Sequence, residues 1–346
     1  MKKILLIITI VLNVLAHPQS NNQKNDIKQI ISSKNYELES EKYKNITIKT
    51  YFFEKDSKLA KKYIKKAIRY IKFYENLIGE YPFKELNIVE IDKPVGYSIP
   101  KYIFLNSMLV SKDFIIERSL RHEIVHQWFG EAVLNKTHDY IEGLTTYLSD
   151  YLYEKENRKD LEFRKDILNE YPIFVDEKKE FPLKDFKGRF DRASMLIGYG
   201  KGFFVFYMME NELSKELFFK KLKKFYKKYR FKDTSYKDVC NFFAKSFSQW
   251  FEKKGMAEIE IKNLKTTFFD DKFQIDFQID QKSNFSFSLP ITIITEKDEI
   301  NKKIKIDKKS KNISLKVKDR PLKMIVDKDL TIFRKLSQKE SYKILG

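Results

Sequence analysis

Apolar residues recur three and four positions apart through Ala60, Ile64, Ala67, Ile71, Tyr74 and Ile78, a period that predicts an amphipathic helix stopped by Gly79. Asn45 to Phe53 alternates weakly and predicts a strand, as do Leu86 to Ile91 and Tyr102 to Leu105. A second helical stretch opens near Ser111 and Asp113, both N-cap residue types, and meets no Gly or Pro before Gly130. Within it Ile115, Ser119, His122, His126 and Phe129 form one stripe, beside an apolar one of Ile116, Leu120 and Ile124. Leu144 to Tyr153 continues as helix, and the charged run from Glu154 to Lys187 predicts a helix and a loop broken by Pro172 and Pro182. Gly202 to Lys254 is helical in pattern, with Ser214 and Thr234 or Ser235 as caps. Its aromatic stripe of Phe218, Phe219, Phe225 and Tyr226 has the spacing of core residues. The period then drops to two around Phe273 to Ile279, Phe285 to Leu289, Ile304 to Ile306 and Ile313 to Val317, predicting a small β-sandwich from residue 257 to the end.

Three of the four histidines fall between positions 122 and 138. Residues 122 to 126 read His-Glu-Ile-Val-His, and helix positions four apart share a face, so His122 and His126 can aim ring nitrogens at one ion. Glu123, one residue round, is placed to touch a water on that ion rather than the ion. Two neutral imidazoles with a neighbouring base are the donor set of a zinc hydrolase. A catalytic zinc needs a third protein ligand and one open position. Asp139 and Glu142 have the spacing of a capping box, which predicts a second helix starting at Asp139. Glu142 in its first turn is either the third ligand or a capping residue alone. His138 is a rival ligand, or a loop histidine. Thr146, a turn beyond Glu142, could orient a ligand through its hydroxyl.

The run His122-Glu123-Ile124-Val125-His126-Gln127-Trp128-Phe129-Gly130, with Glu142-Gly143 ahead of Thr146-Tyr147, resembles the aminopeptidase N (membrane alanyl aminopeptidase) family of gluzincin zinc metallopeptidases. Gly198-Tyr199-Gly200-Lys201-Gly202 is similar to the family's Tyr-x-Lys-Gly element, whose tyrosine faces the metal. Weaker similarity extends from Tyr81 to Glu90, and from Val326-Asp327 to Leu336. The resemblance implies an α+β protein, with a thermolysin-like mixed sheet plus helical catalytic domain at 45–256 followed by a β-sandwich at 257–346. It also implies a zinc ion held by His122, His126 and Glu142, with Glu123 as general base and Tyr199 as the oxyanion donor. Tyr199 could otherwise be a packed core tyrosine. Peptide substrate would lie along a sheet edge by β-augmentation.

Three features depart from that family. The connection between His126 and Glu142 is shorter. Gly96-Tyr97-Ser98-Ile99-Pro100 stands where the family carries the Gly-x-Met-Glu-Asn element that grips a substrate's α-amino group, and it brings no acid. The chain also has no room for the family's large N-terminal β-domain. Aminopeptidase activity therefore calls for another amine anchor, with Glu90 and Asp92 as candidates, and internal cleavage is a second possibility. A protein of the cell envelope that keeps a zinc site for binding or assembly is the alternative, and Glu123 argues against it.

Met1-Lys2-Lys3 and the apolar run Ile4 to Ala16 have the form of a signal peptide, cleaved near Val14-Leu15-Ala16 and too short to span a bilayer. The expectation is export to a bacterial periplasm or the exterior, with no stable membrane anchor afterwards. A polar arm, partly extended or disordered, occupies 17–44. The single Cys240 excludes an intrachain disulfide. Net charge is +19, or +17 without Lys2 and Lys3, but lysine is scattered through every segment, which reads as solvated faces rather than a nucleic-acid footprint. The partner expected is a peptide or protein substrate.

Overall fold

The computed structural model describes residues 34–94, 96–337 and 340–344. The signal-peptide reading of residues 1–16, and the arm up to residue 33, lie outside the described residues.

The first sheet has the order β1-β2-β3-β5-β4, from β1 (Tyr36–Tyr43), β2 (Ile46–Phe53), β3 (Glu85–Ile91), β4 (Tyr97–Ile99) and β5 (Tyr102–Asn106). Its centre is parallel, β2 to β3 and β3 to β5, while β1 and β4 run antiparallel at the edges. All but the first residue of β3 are buried, as expected of a strand covered on both faces. The strand read at Asn45 to Phe53 is β2. The arm reading needs correcting: β1 pairs residue for residue with β2, so the sheet begins inside the segment taken as an arm. Mostly exposed along its length, β1 carries too weak an apolar pattern to announce itself.

Helix α1 (Ala60–Leu77) lays Tyr63, Ile64, Ala67, Ile71 and Tyr74 into the core. Tyr63 meets Phe52 of β2 edge-on, with ring centroids 4.9 Å apart. The histidine helix α2 (Leu120–His126) follows a π-helical turn, Ile115–Ser119. Helix α3 (Ile141–Thr146) runs through a second π turn, Tyr147–Tyr151, into α4 (Leu152–Glu156). Helix α5 (Asp160–Phe174) holds Pro172 in its last turn, so this proline does not end the helix where the sequence suggested. The short α6 (Arg192–Met195) enters a third π turn, Leu196–Lys201, which leads into α7 (Gly202–Leu213). Helix α7 is apolar around its whole circumference and buried from Gly202 to Glu210. Helices α8 (Lys215–Tyr229), α9 (Tyr236–Phe242) and α10 (Ser248–Glu252) complete the helical layer. Ser214 caps α8, accepting from Leu217 N, and Ser235 forms a capping box with Asp238 at α9.

The remaining strands make two sheets, β10-β7-β6 and β12-β11-β8-β9. They comprise β6 (Ile259–Phe269), β7 (Lys272–Gln281), β8 (Phe287–Thr295), β9 (Glu299–Ile306), β10 (Ser310–Val317), β11 (Pro321–Val326) and β12 (Ser341–Lys343). Ile275, Phe277 and Ile279 of β7, and Leu289, Ile291 and Ile293 of β8, alternate inward and join the core of the helical region. The seam between sandwich and helices is aromatic: Trp250 stacks on Phe285 at 4.2 Å, and Phe333 meets Tyr171 edge-on. At the closing segment Arg334, fully buried, pairs with Asp327 at 3.3 Å and with Glu340. The molecule is thus α+β, with a thermolysin-like mixed sheet and helical layer followed by a small β-sandwich. Among the described residues no helix is long and apolar enough to cross a membrane.

Candidate metal centre

His122 and His126, one turn apart on α2, present their Nε2 atoms to the same Glu142 oxygen, at 3.4 and 3.5 Å. The three side chains offer one ligand atom each, all within 4.8 Å of one another. Their other atoms are tied back. His122 Nδ1 lies 3.0 Å from Asp150 Oδ2 and 3.2 Å from Ser149 Oγ, and His126 Nδ1 lies 3.2 Å from the Phe129 carbonyl. These contacts fix ring orientation and leave both Nε2 atoms facing the gap, the arrangement metal-ligating histidines use.

The electrostatics of the gap call for a cation. Burial opposes charge on His122, yet the hydrogen bonds it donates to Asp150 and Glu142 push it up to about 10. Burial works against His126 as well, and Glu142 raises it. Glu142 is held far below the usual carboxylate range: burial disfavours its charge, but His126 and His122 overcome that. The carboxylates therefore favour positive charge in the gap, which a divalent ion would supply. With two imidazoles, one carboxylate and no lysine or arginine in the group, the donor set fits zinc.

A close approach of two glycines places Glu142 against the third π turn. A Cβ on Gly143 would come within 2.4 Å of Gly202 C, and one on Gly202 within 2.8 Å of Gly143 Cα. Helices α3 and α7 therefore cross with backbone on backbone. That crossing brings Tyr199, in the turn preceding α7, to the metal side. Its ring stacks over His122 at 6.1 Å, and its hydroxyl reaches Glu142. Burial, then the charge of Glu142, hold the phenol protonated, so it is a donor. Phe186 fills the space beside Gly198, where a Cβ would lie 2.2 Å from its ring, and meets Tyr199 edge-on. Lys201, pushed down to about 7 by burial, donates to the Lys253 carbonyl at 2.6 Å and ties the turn to the seam.

Glu123 lies beside the two histidines; burial raises its pKa and His126 and His122 lower it. Gln127, next after His126, accepts from Lys101 N at 2.8 Å and donates to Ser98 Oγ and to the Ile99 carbonyl. It straps the edge strand β4 to the histidine helix.

The structure thus brings His122, Glu123, His126, Glu142 and Tyr199 together. His138 stays in the preceding loop at φ 59° and is not part of the ligand group. The second helix starts at Ile141 with Tyr140 as its cap residue, not at Asp139. Asp139 instead accepts from Asn135, Thr137 and the Tyr236 backbone N–H. The orienting role given to Thr146 belongs to Asp150, while the Thr146 hydroxyl is buried without a partner. Of the two candidate amine anchors, Glu90 accepts from Phe53 N at 2.8 Å through one oxygen while its Oε1 is buried with no hydrogen bond among the described residues, and Asp92 binds Ser107 and Lys34.

Asp150 was hidden by the second π turn. Glu142 and Asp150 stand eight positions apart, about 80° out of line on a regular helix. A π turn absorbs one surplus residue, which returns Asp150 to within about 20° of Glu142. No periodic reading at 3.6 residues could have placed it there.

The thermolysin-like fold thus sets a His-Glu-x-x-His helix against a glutamate-bearing helix. Residues 111–264 match the Peptidase family M1 domain. The chain is 26% identical over 220 residues to Leucine aminopeptidase 2 of Candida albicans, covering 55% of this chain and 34% of that protein. It is 22% identical over 268 residues to Probable aminopeptidase 1 of Sulfurisphaera tokodaii, covering 66% and 33%. Aminopeptidase A of Legionella pneumophila, solved in complex with aspartic acid, has a similar fold: TM-score 0.63, 16% identity, 88% of this chain and 38% of that one. The chain spans about a third of the length of these curated relatives. These findings show similarity to the Peptidase family M1 domain over residues 111–264, and to aminopeptidases over about half to two thirds of the chain.

Proposed function

We propose that this protein is an exported zinc-dependent peptidase, aminopeptidase-like in its chemistry. The convergence of His122 Nε2, His126 Nε2 and Glu142 beside Glu123 carries the reading, and the M1 match and the aminopeptidase names of the relatives support it. Zinc, held by those three residues, would supply the Lewis acidity that acidifies water and polarises the peptide carbonyl. Glu123, whose burial favours proton uptake, takes the proton of the attacking water and delivers it to the leaving amine. The Tyr199 hydroxyl donates to the oxyanion that develops at the carbonyl oxygen. Among the described residues strand β4 pairs only with β5, which leaves its outer edge for an extended peptide. The basic start and apolar run of residues 1–16 support export to a bacterial periplasm or the exterior.

The test is cleavage of a peptide mixture, free or N-acetylated, by zinc-loaded protein and by Glu123→Gln. Glu123→Gln should keep its zinc and lose at least about 10²-fold in turnover. Undiminished turnover in that variant removes the proposed base. Tyr199→Phe should also lower kcat, by about 10²-fold, with zinc content unchanged. Stepwise trimming of free N-termini alone identifies an aminopeptidase, and internal cuts in both sets an endopeptidase.

A further inference from the structure

The arginines of the helical region show what a desolvated guanidinium receives here. Arg121 pairs with Glu156 and Arg164 with Asp160, each at 2.8 Å; Arg192 pairs with Glu170, and Arg118 lies 3.7 Å from Asp150. Arg230 has no carboxylate and donates to the Pro82 carbonyl at 2.9 Å; Arg189 has neither kind of partner. Its guanidinium is desolvated enough to lower its pKa, yet among the described residues no carboxylate lies within ion-pair distance and no hydrogen bond satisfies it. Its electrostatic neighbours are Tyr199 and Glu142, the oxyanion donor and the carboxylate of the metal centre, and the like charge of Arg192. Glu142 is already faced by both histidines.

The segment carrying Arg189 is fixed on both sides. Three residues before it, Phe186 is wedged against Gly198 and Tyr199. Two residues after it, Asp191 caps α6, accepting from Ser194 N at 2.7 Å, while Phe190 N donates to Ser194 Oγ at 2.9 Å. Lys187 reaches across to the Thr137 carbonyl, in the loop that leads to Glu142. Arg189 is therefore held on an arch beside the reacting centre with its planar fork of donors unused. Arg189 is half-buried, so its guanidinium has lost part of its hydration without a protein partner in return, and a guanidinium fork matches a carboxylate in two parallel hydrogen bonds.

We infer that Arg189 is a specificity residue that receives a carboxylate of the peptide substrate, from an acidic side chain or from a free C-terminus. The inference rests on the peptidase reading of the same cleft and names the substrate class it selects.

The test uses full-length, zinc-loaded Glu123→Gln protein, so that binding is measured without turnover. Calorimetry compares two matched pairs, Glu-Ala-amide against Gln-Ala-amide, and Ala-Ala against Ala-Ala-amide. The carboxylate member of one pair should bind about ten- to a hundredfold more tightly, and which pair shows the preference identifies the source of the carboxylate. Adding Arg189→Ala should collapse that ratio to within about threefold, with Arg189→Lys between the two. Thermal melting and zinc content confirm that each variant is folded and loaded, and Arg189→Gln replaces the alanine variant if that one does not fold. A ratio near one in both pairs, or a preference that survives the loss of Arg189, overturns the inference. Failure of wild-type protein to cleave these peptides would count against the peptidase reading alone, because the binding ratios do not depend on turnover.

Discussion

Replacing Gly143 by alanine places a methyl group where Gly202 backbone already sits, at 2.4 Å from its carbonyl carbon, 2.5 Å from its Cα and 2.8 Å from its oxygen. Ordinary carbon contacts begin near 3.5 Å, so α3 and α7 must separate by about 1 Å. Two effects on stability oppose each other. Alanine favours helix over glycine by about 1 kcal/mol, and overpacking costs about 1–3 kcal/mol, leaving a net loss of about 0–2 kcal/mol. The protein should therefore still fold. Activity has no such compensation, because Glu142 is adjacent to Gly143 and Tyr199 lies in the turn entering α7. A displacement near 1 Å between ligand and oxyanion donor is enough to lower kcat about 10²-fold. The assay is steady-state peptide hydrolysis with denaturant unfolding and zinc content measured on the same sample. Gly200→Ala is the control: its Cβ would meet Ile167 Cγ2 at 3.1 Å, a flexible tip rather than backbone. If Gly143→Ala turned over peptide at the rate of the Gly200→Ala control, the glycine crossing would not set the site geometry and the reasoning would fail.

Two further outcomes follow. Asp150→Asn removes the charge that orients His122, so zinc affinity should fall about 10- to 100-fold; competitive chelation measures it, and unchanged affinity would return Asp150 to a structural role. Glu90 is buried, and burial with Asp56 beside it pushes its pKa up to about 7 from 4.5. An acid raised on folding is best accommodated protonated, so its contribution is fully present below about pH 4.5 and lost as pH rises towards 7. Glu90→Gln should be more stable than wild type at pH 8 by about 1–3 kcal/mol, and this gain should disappear at pH 4. Equal differences at both pH values in urea unfolding would refute it.

The part of the site that regular geometry governs was legible in the sequence. His122 and His126 stand one α-turn apart on an unbroken stripe, so their convergence needs no tertiary information. Glu142 was found through its place in a first helical turn, although the helix start lies two residues later because Asp139 is held by Asn135 and Tyr236 across the fold. Tyr199 was reached by resemblance alone, since what brings it to the metal is the contact of Gly143 with Gly202, and packing between distant helices leaves no periodic trace. Strand β1 escaped because its exposed pattern has no alternation to read. The edge strand β4 lies where the family's amine-binding element was missing, and its strap, Gln127, was visible only as the residue after His126. The surroundings of Glu90 were hidden for a similar reason: strand alternation says which face a side chain takes, not that the Phe53 backbone N–H already donates to it.

The three π turns have a consequence for how the chain can vary. Each marks a helix that carries one residue more than its hydrogen-bond ladder requires, and the three are read at Ile115–Ser119, Tyr147–Tyr151 and Leu196–Lys201. Deleting a single residue within any of them would yield a more regular helix and, by local criteria, a better one. It would also rotate everything beyond the deletion by about a quarter turn relative to what precedes it. In the second turn that swings Asp150 away from His122; in the third it uncouples Tyr199 from the glycine crossing. Lineages that drop a residue at these places should therefore lose the metal centre while keeping the fold, so the length of these helices records whether the centre is in use.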